Sequence, residues 1–250
     1  MKNNTGLAME TLIGSQISYW KQQREKIELY AAEKPFPSFG PFVTISREYG
    51  CGGFETALRL ADVLNAEYSP EPPWLPYHRG LLEKVIHDMG LSAQLAETLT
   101  ATARDQMTNL LQTTFSKFPP QVAVHRKLAE TVRTLATHGN VIIVGRAGKA
   151  ITREMEKGYH VRIVAPLEWR ADRIASILGM GRREAEKIIA EKSKLREDYL
   201  RAFVKFDSAD PHHYHLLVNN AFHGTDDIVR LVIQGMRLKG LLARPAAGHE

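Results

Sequence analysis

The sequence predicts an α/β fold built on a parallel sheet, and three observations predict it. Short β-prone runs alternate with amphipathic helical patterns along most of the chain. Val141-Ile142-Ile143-Val144 is a continuous apolar run, the pattern of a strand covered on both faces. Phe42-Val43-Thr44-Ile45-Ser46 leads into Gly50, Gly52 and Gly53. Phe54, Ala57, Leu58, Ala61 and Leu64 then recur at helical spacing. Strand, glycine-rich turn and helix therefore follow one another without a gap.

The elements can be justified in order. Met9, Leu12, Ile13, Ile17 and Trp20 form a helical stripe followed by the polar run Lys21 to Glu25, so residues 1–36 read as an N-terminal helical extension. Its stripe can cover its own domain or meet a second copy of the chain in a homodimer. Pro35, Pro37, Gly40 and Pro41 mark a linker, after which a single domain is expected over 37–240. Pro70 to Pro76 is proline-rich and Leu81 to Phe118 carries helical patterns without strand signals, so 74–120 reads as a helical insertion over the sheet edge. Val122 to Thr137 has Val124, Leu128, Val132 and Leu135 on one face, and Gly139-Asn140 stops it. A strand is expected over Tyr159 to Ala165, a helix over Leu167 to Leu178, and a long charged helix over Arg183 to Phe206. Tyr214 to Val218 reads as the last strand. Thr225-Asp226-Asp227 then caps a helix carrying Ile228, Leu231, Val232 and Met236, and 241–250 is expected to be a flexible tail.

Composition narrows the classes. The 250 residues suffice to bury about 70–75% of the unfolded surface without staples. With 44% hydrophobic and 24% charged residues, wholesale disorder is excluded. The single cysteine, Cys51, excludes an intrachain disulfide framework and a cysteine-rich zinc module. No apolar run approaches the ~20 residues of a membrane-spanning helix, and the start lacks a signal-peptide core, so the expected location is cytoplasmic. The net charge of +5 suits an anionic partner, and equally an ordinary basic surface. Phosphorylated small molecules and nucleic acid both qualify as anionic partners, and charge does not decide between them; no recognised nucleic-acid-binding motif supports the second.

The glycine turn carries the chemistry. In Ser46-Arg47-Glu48-Tyr49-Gly50-Cys51-Gly52-Gly53, glycines allow successive N–H groups to point at one centre, and a helix starting near Phe54 adds its positive end. The standard phosphate loop, G-x-x-x-x-G-K-[ST], adds a lysine and a hydroxyl. Gly53 stands at the lysine position here and Phe54 at the hydroxyl position. A plain tight turn has the same composition.

Four collinear stretches carry a resemblance: Thr44 to Gly53; Tyr77-His78-Arg79-Gly80-Leu81-Leu82; Val141 to Gly148 with Arg146; and Val161 to Leu167 through Asp210 to Asn219. Over about residues 42 to 238 the chain resembles the cytidylate kinase-like proteins, a branch of the P-loop nucleoside monophosphate kinases. The resemblance implies a three-layer α/β/α P-loop fold with a helical monophosphate-binding insertion and a helical lid over 180–208. It also implies ATP as donor, Mg²⁺ as cofactor, and CMP or dCMP as acceptor. Arg47, Glu48, Tyr49, Gly50, Cys51, Gly52, Gly53 and Phe54 would hold the donor phosphates, while His78, Arg79 and Arg146 would bind the acceptor. Arg146, with Lys192, Lys194 and Arg196 from the lid, would offset charge during transfer. Metal ligands are not assigned. Two departures stand out: Gly53 lacks the loop lysine, and His78 stands where the family usually carries an acidic residue. They motivate the alternative of a catalytically weak or inactive nucleotide-binding module.

Several residues keep more than one reading. Arg47 either stands in for the missing lysine, pairs with Glu48 or points to solvent. Lys192 and Arg196 share a helix face at i, i+4, but Glu191, Glu197 and Asp198 are interspersed as on an ordinary solvated helix. Arg170 and Arg173 are expected in structural salt bridges, and Asp210-Pro211 in a turn. His212, His213 and His215 lack a companion acid or cysteine for a metal site. Cys51, near a helix N-terminus, is either an activated thiol or a small residue in a tight loop.

Overall fold

A computed structural model describes residues 13–21, 40–78, 80, 82, 123–145 and 147–243. Its centre is a five-stranded, wholly parallel sheet of order β2-β3-β1-β4-β5, formed by β1 (Phe42–Arg47), β2 (Leu75–Tyr77), β3 (Val141–Val144), β4 (Gly158–Val164) and β5 (Leu216–Asn219). The helices are α1 (13–21), α2 (Gly53–Tyr68), α3 (Ala123–His138), the short α4 (Gly148–Ile151), α5 (Leu167–Leu178), α6 (Arg182–Phe203) and α7 (Thr225–Leu238).

Strand alternation sorts the core into two layers of packing. Phe42, Val141 and Ile143 join Leu128, Val132 and Leu135 of α3 and Ile13, Ile17 and Trp20 of α1 on one face. Val43, Ile45, Ile142, Val144, Val161 and Ile163 join Leu60 and Leu64 of α2 and Ile228 and Val232 of α7 on the other. Helices on both faces of a parallel sheet make the three-layer α/β/α fold. α5 and α6 form a hairpin through Gly179 and Gly181, with its own small core of Ala171, Ile174, Ala185 and Ile189.

The differences from the sequence reading have local causes. Leu75–Tyr77 is a strand at the end of what the sequence shows as a proline-rich stretch. Its first N–H reaches the Asn140 carbonyl at 3.1 Å, and Pro76, which has no N–H to give, sits in an edge strand where the sheet tolerates it. The long charged helix starts at Arg182 and ends at Phe203, short of Phe206. The strand expected from Tyr214 begins at Leu216, because Asp210 caps a 3-10 turn over Pro211–His213 by accepting the His212 N–H at 2.9 Å. The insertion from residue 83 to 120 and most of the N-terminal extension lie outside the described residues. The part of the extension that is described, α1, packs on the chain's own sheet. Gln16 Nε2 donates to the Pro73 carbonyl at 3.2 Å, and the Tyr77 hydroxyl donates to Gln16 Oε1 at 2.8 Å.

Candidate active site

The carboxyl ends of β1, β3 and β4 and helix α6 enclose a cleft of about 830 Å³. Glu48 and Tyr49, at the start of the loop between β1 and α2, line one wall, and the shape of the loop follows from where its polar groups go. The Tyr49 carbonyl accepts from Arg170 Nη1 at 3.2 Å, the Gly50 carbonyl from Arg173 Nη1 at 3.1 Å, and the Cys51 carbonyl from Asn220 Nδ2 at 3.0 Å. With three successive carbonyls held from outside, the N–H groups of Gly50, Gly52, Gly53 and Phe54 are left without an acceptor among the described residues. Gly52 caps α2 in the left-handed conformation, φ 62°, and offers no side chain to those N–H groups. Unpaired donors at the positive end of a sixteen-residue helix favour negative charge beside them.

Arg47 and Glu48 do not pair with each other. Glu48 Oε2 accepts the Ala165 N–H at 3.1 Å and lies 3.5 Å from Arg170 Nε. Arg47 instead runs its stem over Gly53, where an added Cβ would lie 3.0 Å from Arg47 Cγ. Its guanidinium crosses Gly145, where a Cβ would collide with Nη1. The cation thus lies against the glycine that replaces the usual lysine, at the point where β1 and β3 end. Burial, and after it the Arg47 charge, lower the pKa of His78. Phe54, in place of a hydroxyl residue, meets the His78 ring edge-on, with centroids 4.5 Å apart.

The remaining expected residues separate. Arg170 and Arg173 form the ion pairs read from sequence, with Glu48 and with Glu55 at 2.9 Å, and also brace the loop. Burial opposes ionisation of Glu55, yet its own N–H and Arg173 hold its carboxyl below the ordinary range. From α6, Lys192 and Arg196 line the cleft. Arg196 Nη1 donates to the Arg47 carbonyl at 3.3 Å, and its guanidinium lies 5.2 Å from the Tyr49 ring centroid. Lys194 is exposed and does not line the cleft, since it points off the i, i+4 face of its neighbours. Arg79 and Arg146 lie outside the described residues. Cys51 is fully buried and burial pushes its thiol up to about 11, which contradicts an activated thiol: the carbonyl of this residue is used, not its sulfur. His213 stacks on Phe206 and His215 on His160. No cluster of three or more His, Cys, Asp or Glu suited to a metal occurs among the described residues.

Sequence reasoning missed one part of the cleft. Arg162, on β4, is only 8% exposed and donates from Nη1 to Ser46 Oγ at 3.2 Å. The Tyr214 hydroxyl lies 3.2 Å from the same Ser46 oxygen and donates to the Ser208 carbonyl at 3.0 Å. A charged residue inside an otherwise apolar strand was the available signal.

The model of the cytidylate kinase-like family matches residues 42–221. A cytidylate kinase from Aeropyrum pernix is 24% identical over 161 residues, covering 64% of this chain and 92% of its own length. A uronate isomerase from Corynebacterium glutamicum is 25% identical over 93 residues, 37% of this chain, and the chain spans only 18% of that protein. Among solved structures, an uncharacterised protein from Eubacterium ventriosum superimposes with a TM-score of 0.60 at 19% identity, over 79% of this chain and 98% of its own. That likeness is one of fold.

Proposed function

Because the chain belongs to the cytidylate kinase-like family, we propose that it is an ATP- and Mg²⁺-dependent phosphotransferase that moves the γ-phosphoryl group to CMP, dCMP or a related phosphorylated acceptor. The observation that carries this reading is the set of unpaired N–H groups of Gly50, Gly52, Gly53 and Phe54, with Arg47 laid across Gly53. Phosphoryl transfer asks the protein for alignment and positive charge, with no protein nucleophile. These N–H groups would hold the donor's phosphates, and Arg47 would supply the charge that a lysine gives elsewhere. Its planar fork takes two phosphate oxygens at once, which an ammonium cannot. Arg196 and Lys192 would add charge from the lid helix, and fastening Arg196 to the Arg47 carbonyl couples α6 to the loop. Arg146 and Arg79 are proposed on the acceptor side from the family's pattern, beside His78.

For Mg²⁺ the fit is loose. Phe54 removes the usual hydroxyl ligand and Glu48 is committed to Ala165 and Arg170, which leaves Glu197 as the other cleft carboxylate. The ion would arrive on the ATP phosphates with most of its waters, as Mg²⁺ commonly does, and would neutralise phosphate charge there. The same two losses, of the lysine and the hydroxyl, favour the second reading of a nucleotide-binding module with little turnover.

The test is ADP release from ATP with CMP, dCMP, UMP or AMP as acceptor. Release that depends on a pyrimidine monophosphate, and falls about 100-fold or more in Arg47→Ala, is the expected result. No acceptor-dependent release, with ATP still bound, would leave the binding-module reading.

A further inference from the structure

At the amino edge of the sheet, where β4 begins, Lys239 meets a histidine whose protons can be placed. His215 is clamped by the backbone of His160. Its own N–H donates to the His160 carbonyl at 2.8 Å, and its ring Nδ1 accepts the His160 N–H at 2.9 Å. The ring also stacks on Tyr159 and on His160, with centroids 5.2 and 5.1 Å apart. A backbone N–H can only donate, so Nδ1 carries no proton and the ring is not an imidazolium. The one proton of the neutral ring then sits on Nε2. Burial, and after it Lys239 and Lys149, hold the His215 pKa at about 4, in keeping with that form.

Nε2 lies 3.0 Å from Lys239 Nζ. An ammonium has three donors and no acceptor, so it would set donor against donor. A free amine has a lone pair and completes the contact. It still donates to the Gly158 carbonyl, 2.8 Å from Nζ. Every proton is thereby placed: His160 N–H on Nδ1, Nε2–H on Nζ, and Nζ–H on the carbonyl.

The surroundings of the amine are mixed in charge. No carboxylate forms an ion pair with Lys239 among the described residues, and partial burial lowers its pKa against the opposing charge of Glu156. The carboxyl end of α7 also favours a cation there. On the other side stands Lys149, which has no ion pair among the described residues and whose charge and that of Lys239 oppose each other. Arg153 lies beyond it and pairs with Glu154 at 3.4 Å. Lys239 is exposed, so a reagent reaches it.

Protonation governs what such a lysine can do. An ordinary lysine is a free amine in about one molecule per thousand at pH 7.5. Turning the Lys239 lone pair away from His215 sacrifices one hydrogen bond, about fivefold, and most of the advantage survives. Lys149 favours a reagent that is itself an anion.

We propose that His215 holds Lys239 as a free amine, and that Lys239 is a site of covalent acylation by small acyl phosphates. The amine nitrogen attacks the carbonyl carbon and the N–C bond forms. The C–O bond to phosphate breaks, the phosphate leaves with the electron pair, and the proton released from nitrogen goes to solvent. The amide keeps one N–H for the Gly158 carbonyl. None of this depends on the phosphotransferase reading.

Acetyl phosphate given to the full chain, with each lysine followed by peptide mass spectrometry, tests it. At pH 7.5 Lys239 is acetylated about tenfold or more faster than the exposed Lys187 and Lys205. Its rate stays nearly flat from pH 7.5 to 9, whereas theirs climbs about tenfold per pH unit. His215→Phe keeps a ring between Tyr159 and His160 but removes the Nε2 proton, and the Lys239 rate falls about fivefold or more. If that variant does not fold, the nitrogen resonances of the wild type decide, with His215 protonated at Nε2 and Lys239 Nζ at an amine shift. A Lys239 rate that matches Lys187 or climbs with pH as it does would overturn the proposal. So would a smaller fall in folded His215→Phe, or an ammonium signal for Lys239 at pH 7.5.

Discussion

Two glycines and one arginine govern the site at the scale of single residues. Gly53 and Gly145 are required less for their own freedom than for the space they leave to Arg47. Gly145→Ala is the sharper substitution, because φ is 74° and the new Cβ falls on the guanidinium. Strain of this kind costs about 1–3 kcal/mol. The displaced arginine should weaken ATP binding roughly tenfold or more, the worth of one charge-assisted contact. Calorimetric titration of ATP against a folded Gly145→Ala chain checks this, and unchanged affinity would show that Arg47 does not reach the donor. The sequence left Arg47 open between a phosphate role, Glu48 and solvent, and could not choose among them. The choice is made by Arg170 and the Ala165 N–H, which take Glu48 from more than a hundred positions away. The glycine pattern, by contrast, was legible, since it sits in eight consecutive residues.

At the scale of elements, β4 carries an unusual load for a buried strand. His160 is 2% exposed, bonds Thr44 Oγ1 at 2.8 Å and stacks on His215 of the strand β5 entry. Burial, then the charges of Lys149, His215 and Lys239, hold its pKa down to about 2. Burial likewise lowers His138 of α3 to about 3. Both are neutral in the fold and protonate readily once unfolded. Their contribution is therefore complete above about pH 6.5 and is lost as pH falls. Each should cost about 2 kcal/mol at pH 5 relative to neutral pH. Urea unfolding of His160→Gln against wild type at pH 7.5 and pH 5 checks the sign and size; equal acid sensitivity of the two chains would refute it. Most elements were readable from periodicity, including Leu167–Leu178 at both ends. β2 was not, because three residues with a central proline carry no periodic signal and are held as a strand by their neighbour β3. Arg162 and His160 were hidden for a related reason: alternation names a strand's faces, but only the pairing with β1 and β5 shows which polar side chains meet.

At the scale of the whole molecule, the sheet separates two tasks. Its apolar faces hold α2 and α7 on one side and α1 and α3 on the other, and its carboxyl edge collects the cations. The net charge of +5 gave no hint of that concentration, since the rest of the surface mixes both signs. The N-terminal stripe of Ile13, Ile17 and Trp20 was legible as apolar but not as to its partner, which is the core beside Leu75 and Tyr77. No described helix is long and apolar enough to cross a membrane. At the carboxyl edge Arg47 lies across Gly53, and Arg162 is buried on β4. Whether the loop grips phosphate is read most directly from the backbone amide resonances of Gly50, Gly52, Gly53 and Phe54 during titration with ATP. The account predicts large, saturable shifts of these four amides, together with protection of the Arg47 guanidinium. Amides that stay in place while ATP binds elsewhere, or that ATP at millimolar concentration leaves unmoved, would contradict it.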